Sequence, residues 1–174
     1  MSAWSPPMAY GDKAPFQSPG SFSSQAPAPN YNVLLGWKYM VNGNEFRVVK
    51  TSAAFAIAGI QGLVCLDSGT NTKNHIVAAV AGAAAIKSTI AGVAATTQLA
   101  LASGDYFLVQ TGGRASCTAA AAGVTVSTPQ ICGAAGTVTD AGVISTAIWS
   151  QIIGIAHQTR TVGLVGEVEL ETIA

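Results

Sequence analysis

Apolar and polar positions alternate in short runs along this chain, and glycine or asparagine punctuates them. Val33 to Val41 reads as a strand, Asn42-Gly43-Asn44 as a tight turn, and Glu45 to Lys50 as the answering strand. Asn-Gly between β-rich runs is the strongest short signal for a hairpin. Leu63-Val64-Cys65-Leu66 is a further strand, closed by Asp67-Ser68-Gly69. His75 to Ile86 is rich in alanine, which favours helix, yet Gly82 interrupts it and Ile76, Val77 and Val80 suit a strand. It reads as strand or irregular chain. Tyr106 to Gln110 is the clearest strand, with Gly112-Gly113 expected to stop it; Thr96 to Ser103 before it reads as a short helical turn. Val124-Thr125-Val126 is expected as a strand, then a Gly/Pro/Thr-rich stretch, then a last strand over Gly166 to Leu170. Short strands separated by glycine at about eight to twelve residues predict an all-β body, a barrel or sandwich.

One stretch occurs twice. Ile90 to Gln110 and Ile152 to Leu170 each hold a Gly-apolar-Ala segment followed twelve residues later by Gly and a carboxylate, Gly104-Asp105 in one and Gly166-Glu167 in the other. The similarity extends upstream, with Gly62-Leu63 corresponding to Gly123-Val124, so the related units cover about 57–110 and 119–171. A unit of this size cannot bury its own apolar face, and two copies predict two packed lobes. The copies share turn chemistry and strand alternation, and no catalytic residue.

Residues 1–30 are a different material. They hold six of the seven prolines, which exclude helix and central strand, and predict an extended arm ahead of a β-rich body over 31–174. Trp4, Tyr10, Phe16 and Phe22 recur every six residues along it, with Tyr31 just beyond. A spacer has no need of large rings. They are expected to insert into grooves of a partner as the arm orders on binding.

Composition sharpens the picture. Apolar residues make up 49% of the 174 residues, charged residues 9%, and net charge is zero. An ordinary soluble domain has roughly 25% charged residues. Such depletion is expected of surface covered by neighbours in an assembly. Lysine and arginine are scattered singly, so a phosphate-tracking surface is missing and nucleic acid is not an expected partner. The longest apolar run, Ile76 to Ile86, has eleven residues and includes Gly82, whereas spanning a bilayer needs about twenty, so no membrane partner is expected. The N-terminus lacks the charged and apolar regions of a signal peptide. Cys65, Cys117 and Cys132 are odd in number and unevenly spaced. This fits a protein made in a reducing cytoplasm, with a Cys117–Cys132 bridge as the alternative.

No catalytic constellation emerges. Nucleophile-elbow, phosphate-loop and H-E-x-x-H patterns are absent. His75 and His157, with scattered carboxylates, give no metal-ligand spacing, and no cofactor is implied. The reading is that of a non-enzyme. Glu167, Glu169 and Glu171 alternate on the terminal strand and fall on one face, either solvated or matched to a basic patch. Arg114 is a candidate for pairing with a carboxylate at a subunit interface, where Asp105, Glu167 and Glu169 are the other candidates.

The segments Gly104–Gly113, Gly136–Gly142, Ile152–Ala156 and Val168–Leu170, taken together, resemble the small capsid decoration, or cement, proteins of tailed bacteriophages. The resemblance spans roughly residues 33–171. It implies a compact β-barrel-like body on the outer capsid surface of the virion. There it would bind the major capsid protein and itself, as a homotrimer or dimer, and stabilise the expanded shell. It carries over no catalytic residue. Two other readings stand beside it. A tail, fibre or adhesin-like binding module would be equally β-rich and would present an exposed aromatic or polar pocket. An enzyme would need a site around Cys117, Cys132 and His157.

Overall fold

The computed structural model describes residues 36, 38–56, 62–66, 76–83, 85–95, 100–104, 106–120, 123–142 and 149–171. The arm and Asp105 lie outside the described residues, as do the predicted strand residues 33–35 and most of the loop after Leu66.

Twelve strands make up the described body: β1 (Lys38–Val41), β2 (Asn44–Thr51), β3 (Phe55–Ala56), β4 (Leu63–Leu66), β5 (Ile76–Val80), β6 (Ile90–Ala94), β7 (Ala100–Leu101), β8 (Tyr106–Thr118), β9 (Pro129–Cys132), β10 (Val138–Asp140), β11 (Gly154–Ala156) and β12 (Val165–Leu170). The body is all-β. The predicted hairpin is present: Val41 pairs with Asn44, and Asn42 and Gly43 take φ of 49° and 80°. Positive φ at both central residues matches the right-handed twist of the flanking strands.

Strand pairing closes two rings. In the first, β2 pairs parallel with β5, β5 with β4, β4 with β6, β6 with β8, and β8 returns to β2, all antiparallel after the first step. In the second, Ala119, immediately after β8, makes a single parallel bridge to Val138 of β10. From there β10 pairs with β9, β9 with β11, β11 with β12, and β12 with β8, all antiparallel. Counted in chain order within each ring, the path is the same: first, third, second, fourth, fifth, and back to first. Two five-stranded rings of the same strand order result, with bounds other than the units expected at 57–110 and 119–171: the first starts at Asn44 and the second ends at Leu170. One continuous strand, β8, is the last strand of the first barrel and the first strand of the second.

The aligned fourth strands sit at equivalent places, but the fifth are displaced by three residues from the sequence alignment: register matches Val109 with Val168 and Gln110 with Glu169, so Gly104 and Gly166 are not equivalent. β6 and β11 are the fourth strands, and each carries its glycine where the fifth strand passes closest. A Cβ on Gly92 or Gly154 would run into the carbonyl of Gln110 or Glu169, respectively. Upstream the correspondence loosens. Val124 makes only a single bridge, to Arg160, and the strand of the second ring that corresponds to β4 is β9. The expected strand Val124–Val126 is thus replaced by Pro129–Cys132. Proline is accepted at a strand's first position, where its missing donor costs least.

Two expectations about the linking region are corrected. Gly112-Gly113 does not stop the strand; β8 runs through both to Thr118. Gly113 has φ 79°, and a Cβ there would collide with the Asn44 side-chain oxygen and lie 2.7 Å from the Gly43 carbonyl. These glycines let the strand pass beneath the β1–β2 turn from one barrel to the next, and the β2–β8 register shifts at the same point. The expected helical turn near Ser103 is partly strand, because Ala100 and Leu101 pair with β3 and Leu101 is buried.

The first barrel is filled by Val49, Val64, Val77, Ala91, Ala94, Leu101, Phe107 and Val109. A second cluster joins the barrels. Leu63, Ile90 and Val93, pointing away from the first interior, pack with Ala115, Cys117, Cys132, Val138, Val168 and Leu170 of the second, and Cys65 lies against them.

Candidate partner interface

Period-2 alternation decides what the second barrel displays. Gly166, Val168 and Leu170 of β12 are buried, while Val165, Glu167 and Glu169 face outward. Antiparallel register sets Arg114 of β8 directly opposite Glu169, and Ile155 of β11 opposite Glu169 on the other side. Arg114 Nε lies 3.6 Å from Glu169 Oε2, and its Nη1 lies 4.0 Å from Glu167 Oε2. His157 Nε2 is 3.4 Å from the same Glu169 oxygen. Three of the four sequence candidates for an interface therefore meet on one outward face within a single chain, and the fourth, Asp105, is outside the described residues. His157 joins them unexpectedly. The available signal was its position two residues after Ile155, which continues the outward alternation of β11.

These side chains are about 36–58% exposed, so the pairs stabilise the fold little. Their effect is to hold charged groups in a defined pattern beside apolar ones. Ile155 is 47% exposed on this face, Val165 44%, and the turn leading into β12 exposes Val162 and Leu164 further. Pro129 and Ile131 of β9, half-buried, extend the apolar strip beyond Ile155.

Where this face meets the first barrel, Asn42, Gly43, Asn44, Gly113, Arg114 and Glu169 line an open notch of about 360 Å³. The Asn44 side-chain oxygen accepts the Arg114 backbone N–H at 2.9 Å and pins the turn over β8. Nearby, Glu45 accepts the Thr111 hydroxyl at 2.7 Å and pairs with Lys38 at 3.1 Å. Burial raises the Glu45 carboxyl, but Thr111 and Lys38 outweigh it and leave it below the usual carboxylate value.

Asp140, the other carboxylate of the second barrel, is structural. One of its oxygens accepts the Thr128 hydroxyl at 2.6 Å, the Gln130 amide at 2.8 Å and the Thr125 N–H at 2.9 Å. Burial works against ionisation, yet these donors hold the carboxyl at about 2. They tie the 125–128 turn to β9 and β10. Arg114 is far from this corner in the pairing scheme and takes its partners from β12.

The three cysteines are free thiols, and the structure gathers them in the core joining the barrels. Burial, reinforced by the neighbouring sulfur, pushes both Cys117 and Cys132 up to about 12. A thiol held protonated is a poor nucleophile. His157 lies on the outward face and the thiols on the inward one, so the Cys–His arrangement an enzyme would need is not assembled. Among the described residues no three His, Cys, Asp or Glu side chains are grouped to hold a metal, and no helix is long and apolar enough to cross a membrane. The arm residues Trp4, Tyr10, Phe16, Phe22 and Tyr31 lie outside the described residues.

No family model and no curated protein matches this chain. Among solved structures, it is similar to the N base of the head fiber protein gp8.5 of bacteriophage phi29. The likeness covers 72% of this chain and 92% of that one, at 12% identity and a TM-score of 0.47. A likeness at that level carries no functional argument.

Proposed function

We propose that this chain is a structural component of a tailed-phage virion, which binds the outer surface of the mature capsid and stabilises the shell by bridging neighbouring major capsid subunits. The observation that carries the reading is the outward face of the second barrel, where exposed Ile155 and Val165 stand within a fixed frame of Arg114, Glu167, Glu169 and His157. Apolar anchors ringed by charged groups are what a docking surface needs. The sequence resemblance to capsid decoration proteins and the 9% charged composition support the same reading.

A capsid under internal pressure fails where neighbouring subunits part. A protein that binds across those seams only in their mature geometry stabilises that geometry by mass action, by about 2.7 kcal/mol per site at a hundredfold excess over Kd. Low charge suits this role, because a buried unpaired charge would weaken each contact. The ring-bearing arm extends the reach, with Trp4, Tyr10, Phe16, Phe22 and Tyr31 as its anchors. The protein would be made in the host cytoplasm and work on the virion exterior.

One observation favours a second reading, a tail, fibre or adhesin-like binding module. The notch beside Arg114 is lined by polar groups, as a site for a small polar epitope would be.

The test adds purified chain to expanded and unexpanded shells that lack it. Selective co-sedimentation with expanded shells, and release of DNA at higher temperature, is the expected result. Removal of residues 1–30 should weaken both. Equal binding to both shell forms, or none, would contradict the proposal.

A further inference from the structure

Among the described residues, one wall of the second barrel lacks the cover that its counterpart has. In the first barrel, the outward side of the β4–β6 wall carries Leu63, Cys65 and Val93, and the second barrel packs against it, burying Leu63 and Val93 almost completely. The corresponding wall of the second barrel is β9–β11. By pairing, Leu63 faces Val93 as Pro129 faces Ile155, so Pro129, Ile131 and Ile155 occupy the places of Leu63, Cys65 and Val93. Val93 is 2% exposed and its counterpart Ile155 47%. The chain thus uses this wall once, internally, and presents it a second time at its far end. Stacked repeats end in this way unless a polar capping face terminates them.

We propose that the β9–β11 wall receives the first barrel of a second copy of this chain, so that copies associate head to tail. Charge supports a second copy as the occupant. Among the described residues, the first barrel with its β1 hairpin strand carries Lys38, Lys50, Lys87 and the buried Arg47 against Glu45. The second carries Asp140, Glu167, Glu169 and Glu171 against Arg114 and Arg160. Opposite signs at the two ends favour a head-to-tail contact and disfavour the same face meeting itself. A heterologous contact of this kind closes into a ring when its rotation allows and continues as a filament otherwise. The contact shares Ile155 with the face of the proposed capsid reading and names a second copy as what covers that anchor, leaving Val165 and the charged frame to the shell; a test without capsids separates the failure of one from the failure of the other.

The test uses the purified full chain without capsids. Sedimentation velocity over a range of concentrations should show species larger than the 17.5 kDa chain, weakening as salt rises. Ile155→Arg should raise the dissociation constant at least about tenfold, because it sets a charge at the centre of an apolar contact. Ile155 is exposed in the single chain, so the thermal midpoint of the isolated chain should stay unchanged, which separates lost contact from lost fold. Carboxylate-to-amine cross-linking of mixed light and heavy copies should join Glu167 or Glu169 of one copy to Lys38 or Lys50 of another. A monomer at all concentrations, an oligomer indifferent to Ile155→Arg, or cross-links and Ile155→Cys disulfides joining like faces would each overturn the proposal.

Discussion

At the scale of single residues, Asp140 gives a clear pH dependence. Its carboxyl sits at about 2 in the fold, against an ordinary 3.8. A depressed value means that its stabilising contribution is fully present above the unfolded value and is lost as pH falls through the folded one. Asp140→Ala should therefore cost about 1–2 kcal/mol at neutral pH, from lost hydrogen bonds to a charged group. The difference from the parent should shrink as pH is lowered from about 4 to about 2, as read by denaturant unfolding. Cys117 and Cys132 make the opposite case. As protonated, buried thiols they should resist a thiol reagent in the native state and react once the chain is unfolded in denaturant. Labelling of both in the folded protein within minutes would contradict the packing described here. Little of this chemistry was legible in the sequence: closeness of Cys117 and Cys132 entered only as an alternative bridge, whereas the structure has them as free thiols, and the approach of Cys65, 52 residues from Cys117, follows only from the joining of two barrels.

At the scale of elements, legibility tracked how local the cause was. The Asn42-Gly43 hairpin was readable because two adjacent residues determine the turn. β4, the core of β8 and β12 were readable from alternation and bounding glycines. Gly112-Gly113 was misread, since paired glycines signal a turn as readily as a strand that must bend under another turn. Which of the two applies depends on Asn44, nearly seventy positions away in sequence. Gly113→Ala tests that explanation. With φ of 79° and no room for a methyl group, it should cost about 2 kcal/mol or more by thermal or denaturant unfolding. Gly154→Ala should be comparably harmful by a different route, separating β11 from β12 at Glu169. Arg114→Ala should change stability by less than about 0.5 kcal/mol, because its partners are half in water. Its effect belongs to partner binding, where the notch and the outward face both lose a lining group. Alternation already placed Glu167 and Glu169 on one face; the pairing of Arg114 with them required the β8–β12 register, which no local pattern reveals.

At the scale of the whole molecule, two barrels of the same strand order share one strand and a joining core cluster, and the chain as a whole is poor in charge, at 9% of its residues. The likeness was legible at the fourth strands, Gly92 and Gly154, but not in the fifth, where register matches Gln110 with Glu169 and leaves Gly104 three residues out of step with Gly166. It was not legible as a strand held in common, because β8 serves as an ending in one unit and a beginning in the other. Under the proposed function, the shared strand and joining core would hold the outward face in register against a symmetric surface, as shell bridging requires. The measurement that tests this most directly is the number of copies of the chain per purified virus particle, counted by quantitative mass spectrometry against the major shell protein. The account predicts one copy per shell subunit or a fixed simple fraction of that number. A handful of copies would contradict shell bridging and point to a tail or fibre, and absence from particles would contradict a virion role altogether.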